Sequence, residues 1–277
     1  VIGKIRWAIG SRSRFIRSKI RRWMKTQYGL SPVPPPILFA VHLVSRIVTW
    51  SSSPLFPPTE ELDLNVENLS DSDVHLALRH QVFTFWNVSV ETLNWVVKHV
   101  RETKVGRVLE FGSGLSTIAW AVACRGNVGD QDAGPPYVIA SVENAEFAAR
   151  TRQLLVDLHL DHLAMVVHCP LVDREINGRI VKGYAWDGEG LEYLKSGWRA
   201  DMLFVDGPST GDLSRALAII DGLQWGSDQC VVLLDDALRD DEIRSIHYLQ
   251  THKHVAFAGV ILIGKGIALG GRCVQSR

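Results

Sequence analysis

Short apolar runs alternate with amphipathic stretches along residues 101–277. Runs of the first kind predict buried strands, and stretches with apolar positions three and four apart predict helices. The predicted strands are Val108–Glu110, Tyr137–Val142, Leu163–His168, Asp201–Val205, Gln229–Leu234 and a closing hairpin at Val255–Ala258 and Ile267–Val274. The predicted helices are Val90–Val100, one from about Leu115, Ala145–Leu158, about Leu213–Leu223 and Glu242–Thr251. This alternation predicts an α/β fold with a doubly wound, mainly parallel sheet.

Residues 1–100 follow a different pattern. Isoleucines recur near helical spacing from Ile2 to Ile20, which predicts a basic amphipathic helix within residues 1–30. Proline-rich breaks at 31–36 and 51–58 flank the apolar stretch Ile37–Trp50, whose fourteen residues are fewer than the about 20 that span a bilayer. We therefore divide the chain into residues 1–30, a helical accessory or lid region at 31–100, and the α/β domain at 101–277.

The N-terminal region and the rest of the chain also differ in charge. The chain carries 30 basic and 30 acidic residues, but residues 1–59 contain ten Lys or Arg and no Asp or Glu. Two interpretations of the basic helix stay open: residues 1–25 attach to an anionic membrane surface, or the helix docks on the α/β domain or on a second subunit, as in a homo-oligomer. Four cysteines without metal-type or redox-type spacing favour a reducing compartment. We expect a cytoplasmic protein with no specific nucleic-acid partner, and in the first of these interpretations it is peripheral at the inner face of a membrane.

A glycine-rich turn follows the first strand. Gly112, Ser113 and Gly114 allow close approach of a ligand to bare backbone, and the N–H groups of the next helix favour a carboxylate or another anion. A dinucleotide fingerprint has a third glycine where this chain has Thr117, and here an acid, Glu110, precedes the turn. The turn predicts a cofactor site, with a nicotinamide cofactor as the less favoured alternative.

The second strand ends in Glu143 and Asn144. An acid at the tip of the second strand of a βαβ unit is placed to accept both hydroxyls of a ribose. The alternative is an acid that is favoured by the dipole at the start of the next helix. After the third strand, Leu171 is placed to pack on an adenine face or simply to pack within its loop.

The sequence Glu-Phe-Gly-Ser-Gly-Leu-Ser-Thr resembles motif I of the class I S-adenosylmethionine-dependent methyltransferases. Together with the later Ser-Val-Glu, Val-Asp-Gly-Pro and Asp-Asp-Ala-x-Arg, it is similar to the polysaccharide-associated methyltransferases of that class over about residues 85–250. The resemblance implies a seven-stranded, Rossmann-like methyltransferase sheet and S-adenosylmethionine as the cofactor. It assigns the methionine end of the cofactor to Glu110 and the turn backbone, and the ribose to Glu143. Together with the positions at the strand ends, the predicted cofactor-binding residues are Glu110, Gly112, Ser113, Gly114, Thr117, Glu143, Asn144 and Leu171.

Three carboxylates, Asp206, Asp235 and Asp236, follow the fourth and fifth strands. Such a group repels itself unless it is protonated, paired with cations or bound to a metal, and aspartate oxygens suit Mg²⁺. The positions resemble the metal ligands of the cation-dependent O-methyltransferases of the catechol and macrolide-sugar types, although Ser209 stands where the catechol type has a lysine base. In the metal-free alternative Asp206 faces the cofactor or acts as the general base, and the other two pair with Arg215 or Arg239.

We therefore expect a methyltransferase (EC 2.1.1 type) that acts on a hydroxyl of a sugar or secondary metabolite, with Mg²⁺ as an optional second cofactor. Arg215 and Arg239 could instead bind an acidic acceptor such as a uronate or phosphate. Tyr184, Trp186 and Trp198 either stack on the acceptor or pack in the core. The alternatives are a nicotinamide-dependent oxidoreductase and a non-catalytic scaffold that is tethered by the basic N-terminus.

Overall fold

The computed structural model describes residues 19–20, 22–40, 62–84, 87–128, 135–186, 188–211 and 213–273. Most of the predicted basic helix, including Ile2, Ile5, Ile9 and Ile16, lies outside the described residues. So do residues 41–61, which contain most of the apolar stretch Ile37–Trp50 and the second proline-rich linker. Among the described residues, no helix is long and apolar enough to cross a bilayer.

Seven strands form one mixed sheet in the order β3-β2-β1-β6-β7-β9-β8, and β4 and β5 form a separate two-stranded sheet. Neighbouring strands from β3 to β7 run parallel, whereas β9 is antiparallel to both β7 and β8. The strands are β1 Val108–Phe111, β2 Val138–Val142, β3 Ala164–His168, β4 Leu171–Ile176, β5 Arg179–Tyr184, β6 Ala200–Val205, β7 Gly226–Leu234, β8 Val255–Ile261 and β9 Ile267–Arg272. The predicted doubly wound, mainly parallel sheet is thus confirmed.

Helices cover both faces of this sheet. They are α1 Ser72–Leu78, α2 Val90–Thr103, α3 Leu115–Val128, α4 Ala145–Asp157, α5 Gly188–Lys195, α6 Ser214–Leu223 and α7 Asp240–Thr251, with a short 3₁₀ turn at Val66–Asn68. Helix α2 shows why the sequence starts and stops a helix where it does. The Ser89 side chain caps its first turn by accepting from the Thr92 N–H, and Lys104 ends it in the left-handed conformation.

The hairpin β4–β5 and the helix α5 are elements that the sequence pattern did not predict. The hairpin is the one that reaches the candidate site. Its residues alternate weakly, and two of its apolar side chains, Val172 and Ile180, are exposed. A strand pair that buries little apolar surface gives no clear period-two signal. Its last residue, Tyr184, is nevertheless buried and reaches the candidate site.

Two apolar cores lie on opposite faces of the sheet. Trp120 and Phe204 meet in the first, with ring centroids 4.9 Å apart, and Phe111 and Tyr184 meet in the second. The predicted helix α3 is buried along most of its length because it crosses the centre of the first core.

Part of the N-terminal region packs on the second core. Residues 22–28 and 35–40 are helical, and Met24, Val33 and Leu38 are buried. Val33 pairs with Val260 of β8 through two backbone hydrogen bonds of 2.7 and 2.9 Å. The close approach requires glycine at position 259, where a Cβ atom would lie 2.3 Å from the Val33 carbonyl oxygen. This segment therefore extends the edge of the sheet.

Candidate functional site

The residues predicted for the site lie at the carboxyl ends of four neighbouring strands. The Gly112 N–H bonds to the Ser141 carbonyl of β2 at 2.8 Å, and the Asp206 N–H bonds to the Phe111 carbonyl of β1 at 2.8 Å. Asp235 continues this arrangement, since its N–H bonds to the Val205 carbonyl of β6. The carboxyl edge of a parallel sheet is where open α/β folds bind their ligands.

The glycine turn has bare backbone at Gly112, and the loop after β6 approaches it closely. Gly112 has a φ of +112°, which side-chain-bearing residues rarely adopt. A Cβ atom at Gly207, in the loop after β6, would lie 2.5 Å from Tyr184 Oη and 3.2 Å from the Gly112 nitrogen. Two glycines in contact thus shape the space above β1.

Glu110 is the acid that precedes the glycine turn. It is fully buried, and its two carboxyl oxygens accept from Ser116 Oγ at 2.6 Å and Thr117 Oγ1 at 2.7 Å. Thr117 Oγ1 in turn accepts from the Gly114 N–H at 3.1 Å. Burial raises the pKa of Glu110 to about 7, against hydrogen bonds that lower it. Glu110 therefore braces the turn from inside, whereas the sequence resemblance assigns it a direct contact with the cofactor.

Glu143 lies half-buried at the tip of β2. Tyr184 Oη donates to its Oε2 at 3.0 Å, and the Ser209 N–H lies 3.5 Å from its Oε1. Tyr184 therefore orients the carboxylate that the sequence assigns to a ribose. This partner comes from β5, so the spacing of the sequence gave no sign of it.

The other predicted cofactor residues have local partners. Asn144 caps α4 by accepting from the backbone N–H groups of Glu146 and Phe147 at 2.8 and 3.1 Å. Ser113 Oγ lies 3.2 Å from Thr151 Oγ1. Leu171 is the first residue of β4, opposite Tyr184, and packs on the second core.

Asp206, Asp235 and Asp236 come together as the sequence pattern suggests. One ligand atom from each lies within 4.8 Å of the others. The Asp206 side chain is 23% exposed, whereas Asp235 and Asp236 are buried. Asp206 is thus the carboxylate of the three that faces the open side.

Three cationic side chains surround this group. Arg239 Nη1 lies 2.8 Å from Asp236 Oδ2, and Lys265 Nζ lies 3.2 Å from Asp236 Oδ1. Arg215 Nη2 lies 3.2 Å from Asp236 Oδ2 and 3.3 Å from Asp206 Oδ1, and Arg215 Nε lies 3.4 Å from Glu242 Oε1. Both predicted arginines are thus held by carboxylates of the site, and Arg215 is buried.

Lys265 and Glu242 are members that the sequence analysis did not name. Lys265 follows the apolar residues 260–263 and precedes the apolar residues 267–269. A lysine in such surroundings is buried only if it is paired. That context was the available signal, although it does not identify the partner.

The cluster perturbs the acid–base behaviour of its members. Burial raises the pKa of Asp206, and burial together with repulsion from Asp236 raises the pKa of Asp235. Burial alone would raise the pKa of Asp236 as well, but Arg215, Lys265 and Arg239 lower it. The negative charge of the group therefore concentrates on Asp236, beside the three cations.

This charge arrangement does not fit a divalent cation well. Both oxygens of Asp236 already face cationic groups, and Asp206 Oδ1 faces Arg215. Within the part of the chain that the structure describes, the buried Asp235 Oδ2 has no hydrogen-bond partner, so a new ligand would meet no competing donor at that atom. A metal bound there would be repelled by three fixed positive charges.

The aromatic residues after β4 pack within the protein. Tyr184 and Trp198 are buried, and Trp186 packs between Phe111 and Trp225 at ring distances of 5.6 and 4.8 Å. Apart from the site, a groove of about 500 Å³ runs along α7 beside Phe39 and Arg179. None of the predicted site residues lines it.

No family model matches the chain, and no curated protein matches it. Solved structures with a similar fold were found. The O-methyltransferase TomG from Streptomyces achromogenes, involved in tomaymycin synthesis and crystallised with S-adenosylmethionine, is 17% identical with a TM-score of 0.51, over 79% of this chain and 100% of that one. An O-methyltransferase from Bacillus cereus in complex with S-adenosylhomocysteine is 15% identical with a TM-score of 0.52, over 78% and 100%. A putative caffeoyl-CoA O-methyltransferase from Staphylococcus aureus is 16% identical with a TM-score of 0.50, over 76% and 100%. The chain therefore has the Rossmann-like fold of the S-adenosylmethionine-dependent O-methyltransferases.

Proposed function

We propose that this chain is an S-adenosylmethionine-dependent O-methyltransferase whose acceptor is a hydroxyl group of a small molecule, most simply a sugar or another secondary metabolite. The observation that carries the proposal is the pairing of two features on a methyltransferase fold. A bare-backbone turn at Gly112 lies beside an oriented acid, Glu143, at the carboxyl edge of the sheet.

In this proposal the turn from Gly112 to Gly114 binds the methionine end of the cofactor. The start of α3 favours the carboxylate through its dipole and its first N–H groups, because the N–H groups of Gly112 and Gly114 already donate to Ser141 and Thr117. Glu143 accepts the ribose hydroxyls, with Tyr184 holding its orientation. Glu110 acts indirectly, because it fixes Thr117 and through it the Gly114 N–H.

Methyl transfer is a direct displacement. The acceptor oxygen forms a bond to the methyl carbon while the bond from that carbon to sulfur breaks, which leaves S-adenosylhomocysteine. The hydroxyl proton must pass to a base, and alignment of oxygen, carbon and sulfur supplies much of the rate. We assign the base to Asp206, because it is the partly exposed carboxylate of the group and lies next to Gly112.

The experiment that tests the proposal is formation of S-adenosylhomocysteine from S-adenosylmethionine with a panel of sugars, uronates and phenols. Glu143→Gln should lose most of the activity, because an amide accepts less strongly than a carboxylate from two hydroxyls. Glu146→Gln, a neighbour in the exposed first turn of α4, is the matched control and should keep it.

Binding of NAD(H) without binding of S-adenosylmethionine would instead favour the oxidoreductase. A protein that binds neither cofactor but recovers an active enzyme in a pull-down would favour the scaffold. Attachment of residues 1–25 to an anionic membrane and formation of a homo-oligomer stay predictions, to be measured by vesicle sedimentation and by light scattering.

A further inference from the structure

The acidic tips of β6 and β7 are matched by positive charges from three separate elements. Arg215 comes from α6, Arg239 precedes α7, and Lys265 lies in the turn between β8 and β9. All three converge on the carboxylate of Asp236, at 3.2, 2.8 and 3.2 Å. Because the three elements are distant in sequence, these cations meet Asp236 only when the chain is folded.

Arg215 occupies the space between the aspartates. Its side chain is 4% exposed, and Nη2 reaches both Asp206 Oδ1 and Asp236 Oδ2 while also donating to the Asp206 carbonyl at 2.5 Å. Nη1 donates to the Asp235 carbonyl at 3.0 Å. A guanidinium keeps its charge at every pH at which proteins fold, so a permanent positive charge lies between the two strand tips.

Both carboxylate oxygens of Asp236 and one of Asp206 therefore already face cationic groups. Asp236 Oδ2 faces two guanidinium groups, and Oδ1 faces an ammonium group. Mg²⁺ binds hard oxygens in near-ideal octahedral geometry, and like charges close to a bound cation weaken its binding. A divalent cation at this site would have to displace Arg215, Arg239 and Lys265 or bind against their electrostatic repulsion.

We infer that Arg215, Arg239 and Lys265 take the place of a divalent cation, so that this strand-tip site holds its three aspartates together without bound metal. One consequence of the inference rests on the proposed function, namely that methyl transfer by this chain needs no added metal. The absence of metal binding itself can be measured without any acceptor or cofactor.

The first test is the metal content and the melting temperature of the full chain. After dialysis in Mg²⁺ or Mn²⁺ and removal of free ion, elemental analysis should find no stoichiometric metal. The melting temperature should be the same in millimolar Mg²⁺, millimolar Mn²⁺ and EDTA. One equivalent of metal, or a saturating rise in melting temperature that Asp235→Asn abolishes, would overturn the inference.

The second test removes one of the competing charges. Lys265→Gln should gain what the native chain lacks, a rise of about 3 °C or more in melting temperature on adding millimolar Mg²⁺. Lys253→Gln, which alters an exposed lysine after α7, is the matched control and should show no such rise. If Lys265→Gln does not fold, Arg239→Gln serves, because its side chain is 26% exposed. A folded variant that gains no response to Mg²⁺ would contradict the assigned competition.

The outcomes separate this inference from the proposed function. S-adenosylhomocysteine binding together with stoichiometric Mg²⁺ would refute the inference and leave the function standing. No S-adenosylhomocysteine binding, with no metal bound, would refute the function and leave the inference standing.

Discussion

The buried carboxyl group of Glu110 makes a quantitative prediction about stability. Its ordinary pKa of 4.5 is raised to about 7 in the folded chain because it is buried. Between these values the unfolded chain has lost the proton and the folded chain has kept it. Stability therefore falls as pH rises from about 4.5 to about 7, and the loss is complete above that range.

The size of the effect follows from the gap between the two pKa values. It corresponds to about 3 kcal/mol, at about 1.4 kcal/mol for each pH unit. Glu110→Gln removes the titrating group while keeping its shape; the amide oxygen accepts from one of the two hydroxyls, and the amide nitrogen donates to the other. The free energy of unfolding of the native chain, minus that of the variant, should thus fall by about 3 kcal/mol between about pH 4.5 and about pH 8.

Urea unfolding followed by tryptophan fluorescence measures this difference, since the chain has nine tryptophans. Other titrating groups are common to both proteins and cancel in the subtraction. The exposed Glu102→Gln gives the control, for which the difference should change by less than about 0.5 kcal/mol. A Glu110 difference that stays constant with pH, or that rises, would show that this carboxyl is not the buried brace of the turn.

Three further substitutions test the packing around the site. Gly207→Ala places a Cβ atom 2.5 Å from Tyr184 Oη, so it should destabilise the chain by about 1–3 kcal/mol and weaken S-adenosylhomocysteine binding at least about tenfold. If calorimetry showed native affinity for this variant, it would contradict the close approach of Gly207 and Tyr184. Tyr184→Phe removes the hydrogen bond to Glu143 and should weaken the same binding about fivefold, whereas an unchanged Kd would mean that Tyr184 does not orient the acid. Gly259→Ala places a Cβ atom 2.3 Å from the Val33 carbonyl oxygen, so hydrogen exchange of the Val33 and Val260 amides should accelerate. Unaltered protection of these amides would refute the pairing of the Val33 segment with β8.

Much of the fold was readable from the sequence because its strands are buried on both faces. Val108–Phe111 and Val138–Val142 are buried at every position, which produces the continuous apolar runs that predict a parallel sheet. The glycine turn and Glu143 could be found for a related reason, since strand tips in such a sheet share one edge. The hairpin β4–β5 could not, because its apolar residues are partly exposed.

The site was predicted as a set of positions but not as a network. Asp206, Asp235 and Asp236 were recognised by their places after strands, whereas Lys265 pairs with Asp236 from 29 positions further along the chain. Pairing across that separation depends on the order of strands β7, β9 and β8, which local pattern does not give. The inward orientation of Glu110 was likewise hidden, because it depends on two hydroxyls of the next helix, Ser116 and Thr117.

In the proposed function the carboxyl edge of this sheet binds S-adenosylmethionine, and the test is calorimetric titration of S-adenosylhomocysteine into the purified chain in EDTA. We expect saturable binding at one site, lost or weakened at least about tenfold in Glu143→Ala and retained in Glu146→Gln. No heat and no rise in melting temperature with the native chain, or equal binding by Glu143→Ala, would contradict it.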